Sequence, residues 1–289
     1  GLQSAPIALS KLRVVAEKIY ADCDGKDGLV DGLIDDPRRC TFDPARDLPR
    51  CPGETEGADC FTSLQIQALQ RIYGGVVIGG KQFFPGLPVG AEIAGPNGRS
   101  GWENWIVRDE GRTISLNFAE SFLRYMAFPE RDPNYDWTRF DFDKDPARME
   151  WIRSVLDATD PDLSAFKRRG GKILMYYGWA DPALNPMMAV DYYEKVTEQI
   201  GPSTSEFFRL FMVPGMFHCA GGVGVSTVDW LTPLMDWVEK GVAPDRIVGS
   251  RLAEGKVVRT RPLCAYPQVA RYKGQGSIDD ATNFVCGKP

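Results

Sequence analysis

The sequence predicts an α/β fold in two parts. An irregular, mostly helical and loop-rich portion (residues 1–158) precedes a C-terminal portion with a parallel sheet (residues 159–289). The parallel sheet is predicted because strand, loop and helix patterns follow each other in that order twice after residue 160. The 30 glycines and 21 prolines among the 289 residues indicate many loops, and they argue against a helical bundle.

Composition narrows the class of protein. The chain is 43% hydrophobic and 25% charged, as expected for a soluble globular protein. Its formal charge of −5 argues against nucleic acid as a partner, because phosphates attract basic surfaces. No apolar run approaches the roughly 18 residues of a membrane span, and we expect any secretion signal to precede Gly1.

The N-terminal portion carries three predicted helices. An apolar stripe over residues 9–21 predicts the first, with Ser10 as its N-cap, and Ser63–Tyr73 and Ser115–Phe128 predict the others. From about Gly74 to Pro146, short apolar pieces are interrupted by Gly, Pro, Trp and Asp. This stretch is typical of an irregular lid or insert.

The C-terminal portion begins with two buried strands, each followed by a helix. Lys172–Tyr177 and Glu206–Val213 are continuous apolar runs rich in aromatic residues, and helical stripes follow at Pro186–Gln199 and Val228–Lys240. Such units predict parallel strands in a sheet that is covered on both faces.

The seven cysteines form no C-x-x-C spacing, so a zinc site is not expected. Six of the cysteines form three pairs that are close in sequence, and each pair would close a loop that has few apolar residues to bury. This predicts the disulfides Cys23–Cys40, Cys51–Cys60 and Cys264–Cys286. Cys219 is then left over. The alternative is a cytosolic protein with seven reduced thiols.

Asp181 and His218 follow the two predicted strands, and His218 is the only histidine in the chain. Ligands of α/β sheets bind at the carboxyl ends of the strands, where these residues would lie. A carboxylate followed by a histidine matches the second half of the Ser, Asp, His order of α/β hydrolases. The alternative is a loop histidine and a solvated aspartate with no joint role.

A nucleophile for such a triad is missing from the chain. No serine lies in the G-x-S-x-G motif that presents the nucleophile in α/β hydrolases. We therefore expect the serine to lie upstream in the same protein and this chain alone to be inactive.

Four segments resemble the C-terminal half of the tannase and feruloyl esterase family, which includes a mono(2-hydroxyethyl) terephthalate hydrolase. They are Asp162–Asp181, Phe208–Gly222, Leu231–Pro244 and Arg259–Lys273. The resemblance implies the C-terminal part of an α/β-hydrolase sheet preceded by a calcium-binding lid domain.

The same resemblance implies a function. Asp181 would be the triad acid and His218 the triad base of a serine-type carboxylic ester hydrolase. Cys219 would bond a cysteine directly before the upstream serine. The substrates would be small aromatic acid esters of feruloyl, galloyl or terephthaloyl type, and the enzyme would be secreted or periplasmic, with neither nucleic acid nor membrane as a partner.

An Asp-rich loop is the second candidate site. Oxygen donors occur at offsets of 0, 3, 5, 7 and 9 residues, from the side chains of Asp24, Asp27 and Asp31 and the carbonyls of Leu29 and Leu33. Hard oxygen ligands suit Ca²⁺, although the bidentate Glu of an EF-hand is absent and a solvated acidic turn has the same pattern. The family resemblance implies a structural Ca²⁺ here, and no other cofactor is expected.

Aromatic residues are concentrated in the predicted lid, and they suit a flat aromatic acyl group. We take Trp102 as a wall of the substrate pocket; the alternative is that the cluster forms the core of the lid. The cluster comprises Trp102, Trp105, Phe118, Phe122, Tyr125 and Phe128.

Two other functions remain open at this point. The chain could be a calcium-stabilised binding module without catalysis. It could also belong to a different α/β hydrolase, such as a thioesterase or peptidase.

Overall fold

The computed structural model describes residues 5–95 and 101–289. The N-terminal region (its residues up to 158) consists of helices, loops and an antiparallel hairpin whose second strand is exposed, in keeping with the predicted irregular character. The predicted domain boundary stays a prediction. The helices are α1 Leu9–Cys23, α2 Pro44–Asp47, α3 Ser63–Gly74, α4 Trp102–Trp105, α5 Ile114–Tyr125, α6 Asp145–Arg148 and α7 Glu150–Leu156, and the hairpin is β1 Val76–Ile78 with β2 Lys81–Phe84.

The C-terminal region (residues 159–289) contains the two predicted β-loop-α units, followed by two antiparallel hairpins that the sequence did not predict. Its elements are α8 Ser164–Arg168, β3 Ile173–Gly178, α9 Met187–Ile200, β4 Phe208–Val213, α10 Leu231–Lys240, β5 Arg246–Ala253, β6 Lys256–Cys264, β7 Val269–Tyr272 and β8 Phe284–Gly287.

Strands β3 and β4 are parallel, with Ile173 opposite Phe208 and Gly178 opposite Val213, which confirms the predicted pairing. Burial differs between them. β4 is buried over almost its whole length, whereas β3 is half-buried and its Tyr176 is 39% exposed. Since β3 is partly exposed, the described residues do not cover both faces of the sheet completely, whereas the sequence predicted that they would.

The first helices begin in different ways. Thr62 caps α3 by a capping box, in which its hydroxyl accepts the Gln65 N–H and the Gln65 side chain accepts the Thr62 N–H. The predicted Ser10 cap of α1 is wrong, because the helix already begins at Leu9. The free Leu9 N–H donates instead to the Asp109 carboxylate at 2.9 Å.

The core of the N-terminal region also takes up residues from the C-terminal region. Helices α1 and α3 contribute the fully buried side chains of Ile19 and Leu69 to it. Ala180 and Phe217, which directly precede Asp181 and His218, lie in the same apolar cluster. The loops that carry the candidate acid and base are therefore packed against the N-terminal region.

The three predicted disulfides, Cys23–Cys40, Cys51–Cys60 and Cys264–Cys286, are all present. Cys219 is exposed and has no disulfide partner in the described part of the chain. Among the described helices, none combines the length and the apolar character needed to cross a bilayer.

Candidate active site and acidic loop

Asp181 and His218 meet at the carboxyl ends of β3 and β4, where the sequence predicted them. The Nδ1 atom of His218 lies 2.9 Å from Oδ2 of Asp181. The aspartate is 4% exposed, and its Oδ1 accepts the N–H groups of Ala183 and Leu184 at 2.8 and 3.0 Å. With Nδ1–H donating to this carboxylate, Nε2 of the half-exposed imidazole is left to accept a proton.

Close contact between the two strand ends brings the pair together. A Cβ atom at Gly178 would lie 2.2 Å from the Met216 carbonyl oxygen, so only glycine fits there. The Ala180 N–H donates to the same carbonyl at 3.1 Å. The loop after β3 is thereby held against the loop that leads to His218.

A cavity of about 160 Å³ opens beside the pair. Burial, with smaller effects of Asp181 and Cys219, raises the pKa of Tyr177 on its wall to about 12. Within the described residues, no hydrogen bond joins His218 to a serine. The cavity is lined by Tyr176, Tyr177, Gly178, Asp181, Leu184, Met216, His218 and Cys219.

The structure brings Trp105, and not Trp102, to the imidazole. Trp102 is fully buried in the N-terminal core, 5.2 Å from the ring of Tyr73, so its predicted place in the wall of a pocket is incorrect. The ring centroid of Trp105 lies 5.8 Å from that of His218, edge to face, and Trp105 stacks on Phe118 at 6.4 Å. Both rings lie three residues apart in one aromatic segment, and the local sequence does not distinguish them.

The backbone explains why the two tryptophans diverge. Asn104 adopts a positive φ of 66°, and its N–H donates to the Val107 carbonyl at 2.9 Å. This turn sends Trp105 away from the core and into the wall of a larger cavity of about 720 Å³. Arg108, Arg112 and Trp137 also line that cavity.

The Asp-rich loop folds around the Asp24 carboxylate. Asp24 accepts the N–H groups of Asp31, Gly32 and Leu33 at 3.0–3.2 Å. Asp27 accepts the Leu29 N–H at 2.9 Å. The predicted ligands therefore belong to one hydrogen-bonded loop.

The electrostatics of this loop depend on β6 and on a carboxyl that the sequence did not single out. Asp31 is buried against Arg261, with Arg259 at 3.9 Å. Asp35 is also buried, and no hydrogen bond to its carboxyl occurs in the described ranges. Burial, followed by the nearby carboxylate of Asp27, raises the pKa of Asp35 to about 7, while Arg261 opposes the rise.

The predicted carboxylates do not form a closed ligand shell by themselves. Among the described residues, the group of three potential ligands whose donor atoms lie within 4.8 Å of one another is Asp22, Cys23 and Cys40. The two cysteines are joined in a disulfide and are not metal ligands. An ion at the predicted site would thus have to draw the loop oxygens closer together.

Comparisons with known proteins show the family of the chain. The family model described as "Tannase and feruloyl esterase" matches residues 3–287. An uncharacterized esterase of Xanthomonas campestris is 38% identical over 333 residues, which cover 99% of this chain and 56% of that protein. The mono(2-hydroxyethyl) terephthalate hydrolase of Piscinibacter sakaiensis is 36% identical over 312 residues, covering 96% of this chain and 52% of the enzyme.

Solved structures show the same fold. The crystal structure of feruloyl esterase B from Aspergillus oryzae superposes with a TM-score of 0.81 and 26% identity, over 97% of this chain and 57% of that one. The fold is therefore α/β hydrolase-like. The chain spans about half the length of the curated relatives it matches.

A buried carboxyl outside the acid–base pair, Glu92, lies in the N-terminal region. It accepts hydrogen bonds from the Tyr73 hydroxyl at 3.0 Å and the Gly90 N–H at 2.9 Å. Burial raises the pKa of Glu92 to about 7, although these donors and neighbouring N–H groups lower it. Burial and the Glu92 charge also raise the pKa of Tyr20.

Glu92 makes the stability of the fold depend on pH. Its pKa is higher in the folded state than the ordinary value of 4.5, so the folded state binds the proton more tightly. The stability gained from this proton is complete below about pH 4.5 and is lost as the pH rises to about 7. Between these two pH values, the free energy of unfolding of Glu92→Gln should fall by up to about 3 kcal/mol less than that of wild type. Urea denaturation at a series of pH values measures this difference.

The exposed Glu17→Gln variant is the control and should keep the wild-type profile. If Glu92→Gln and wild type lost stability equally across this window, the raised pKa would be wrong.

Proposed function

This chain belongs to the tannase and feruloyl esterase family, and we propose that it supplies the acid and base of a serine-type carboxylic ester hydrolase acting on aromatic acid esters. The observation that carries the proposal is the 2.9 Å contact between His218 and Asp181 at adjacent strand ends. The acyl group would be of feruloyl, galloyl or terephthaloyl type. The mono(2-hydroxyethyl) terephthalate hydrolase of Piscinibacter sakaiensis is among the relatives, which supports this class.

The acid–base chemistry follows from the tautomer of His218. Asp181 holds the proton on Nδ1, so Nε2 accepts the serine proton as the serine oxygen attacks the ester carbonyl. The imidazolium then returns that proton to the leaving alcohol, and water repeats the cycle on the acyl-enzyme. The buried aspartate stabilises the imidazolium during both half-reactions.

The serine and the oxyanion donors are proposed to come from polypeptide upstream in the same protein. The relatives are about twice as long as this chain, which supports the proposal. Cys219 adjoins His218 and is exposed, so it can bond a cysteine next to that serine. Such a bond would keep base and nucleophile in register.

Replacing either member of the pair tests this assignment. In the protein that includes the nucleophile, we expect His218→Ala and Asp181→Asn to lower kcat for a ferulate or gallate ester about ten-thousandfold. The amide of the second variant would donate to Nδ1 and stabilise the wrong tautomer. The exposed Glu239→Gln variant is the control.

Retained turnover in either variant, with an unchanged fold, would remove Asp181 and His218 from the mechanism. Amide and thioester substrates tested beside the esters separate an esterase from a peptidase or thioesterase. A protein inactive on all of them supports the binding-module alternative.

The acyl ring is proposed to pack against Trp105, which stands beside His218 and on Phe118. Its indole is half-buried and borders the larger cavity, so a flat ring can lie against it while the ester carbonyl reaches the active site. The N-terminal region would act as a lid over the site.

Trp105→Ala should lower kcat/KM about tenfold for aromatic acyl esters and much less for acetate esters, because only a ring loses its contact. Steady-state kinetics on matched methyl esters measure this ratio. Trp151→Ala is the control, since the exposed indole of Trp151 lines neither of the two cavities. An equal loss on aromatic and acetate esters would contradict the role of Trp105.

A structural Ca²⁺ is proposed for the Asp-rich loop. The side chains of Asp24, Asp27 and Asp31 and the carbonyls of Leu29 and Leu33 would hold it, and these hard oxygens lie on one ordered loop. Three carboxylates exceed the charge of the ion by one. The ion pair of Asp31 with Arg261 offsets that excess, and an ion would share the Asp31 carboxylate with the guanidinium.

Calcium should therefore stabilise the fold. Free Ca²⁺ at about a hundredfold excess over its Kd should raise the free energy of unfolding by about 2.7 kcal/mol relative to a chelator, and Mg²⁺ should raise it less. Asp27→Asn should weaken the response, whereas Asp22→Asn, a neighbouring carboxylate outside the proposed set, should retain it. Identical urea midpoints with Ca²⁺ and chelator would contradict the proposal.

A secreted or periplasmic location is proposed as well. Three disulfides form and persist in oxidising compartments, which supports it.

A further inference from the structure

Asn185 links the loop of the candidate acid to the N-terminal region. It lies four residues after Asp181, is buried, and uses its whole side-chain amide. Its Nδ2 donates to the carbonyls of Pro85 and Gly86 at 2.9 and 2.8 Å. Its Oδ1 accepts the N–H of Met187, the first residue of α9, at 3.0 Å.

The segment between Asp181 and Asn185 is short and internally bonded. The Asp181 carboxylate accepts the N–H groups of Ala183 and Leu184 with one oxygen and faces His218 with the other. A shift of Asn185 would therefore pass to the Asp181 carboxylate through these hydrogen bonds.

The carbonyls that Asn185 binds are themselves fixed. A Cβ at Gly86 would lie 1.8 Å from the Tyr73 carbonyl oxygen, so the backbone there is pressed against the end of α3. The next residue, Leu87, donates its N–H to the Ile72 carbonyl at 3.0 Å. Helix α3 is anchored in the N-terminal core by Leu69. The Asn185 amide is therefore bonded to a backbone segment that is fixed against α3.

We propose that Asn185 is a positioning residue that clamps the Asp181 loop to the N-terminal region and so keeps Asp181 aligned with His218. The catalytic consequence rests on the proposed esterase function, but the alignment itself does not. An aliphatic side chain at this position would leave two partly buried carbonyls without these donors and would free the loop.

The single imidazole of the chain gives a direct readout, because the Nδ1–H proton of His218 produces one downfield NMR signal when it is bonded to Asp181. We compare Asn185→Asp, which keeps the acceptor for Met187 but replaces both donors, with Gln82→Glu. Gln82 also donates to backbone carbonyls, those of Gly74, Val76 and Phe84, but these acceptors belong to the end of α3 and the hairpin, so the contacts stay within the N-terminal region. The pair Asn185→Ala and Gln82→Ala repeats the comparison without a new charge.

The expected result is loss or severe broadening of this signal in the Asn185 variants, with the wild-type signal retained in the Gln82 variants. Far-ultraviolet circular dichroism identifies which variants are folded. An unchanged signal in a folded Asn185 variant, or an equal loss in the Gln82 variants, would overturn the proposal.

Kinetics of the protein that includes the nucleophile supply a second readout. Asn185→Ala should lower kcat roughly tenfold and leave KM within about twofold, because alignment and not substrate binding is disturbed. An unchanged kcat would overturn the catalytic consequence. If wild type hydrolysed no ester, the proposed function would fail while the NMR comparison still decided the clamp.

Discussion

The candidate site depends on the packing of Ala180 and Phe217 into the core of the N-terminal region. Each of these buried residues directly precedes a member of the acid–base pair. Apolar burial is non-directional, so it fixes where the two loops lie but not how their polar groups are oriented. Orientation comes from hydrogen bonds, which hold both oxygens of the Asp181 carboxylate and thereby the imidazole of His218.

An ion pair and cation–π contacts also connect the N-terminal region with the C-terminal region. Asp31, in the acidic loop, is buried with Arg261 of β6. A few residues further along the same loop, Arg38 stacks over the rings of Trp179 and Tyr266, with its guanidinium held by Asp36. Trp179 directly precedes Ala180, so its contact with Arg38 connects the acidic loop to the loop that carries Asp181. An ion in this loop would therefore influence the site through packing and not by contact.

Local sequence patterns were sufficient for the elements that have a continuous apolar run or a clear apolar stripe. The apolar runs that became β3 and β4 and the capped stripe of α3 were predicted almost to the residue. Hairpins β5–β6 and β7–β8 were not predicted, because β5 and β6 mix charged and apolar residues without clear alternation, and β7 and β8 are only four residues long. The Ser10 cap was wrong because a carboxylate about a hundred residues away binds the free N–H of Leu9.

The sequence by itself determined the parallel pair of strands, the three disulfides, and the identity of Asp181 and His218 as neighbours at the strand ends. These features depend on residue type and short spacing, and the only histidine leaves no choice of imidazole. Tertiary structure alone decided that Trp105 reaches the imidazole while Trp102 is buried, and that Asn185 and Arg261 connect the two regions. Such contacts join residues about 100 or more positions apart, and their partners depend on how the loops pack, which short-range periodicity does not encode.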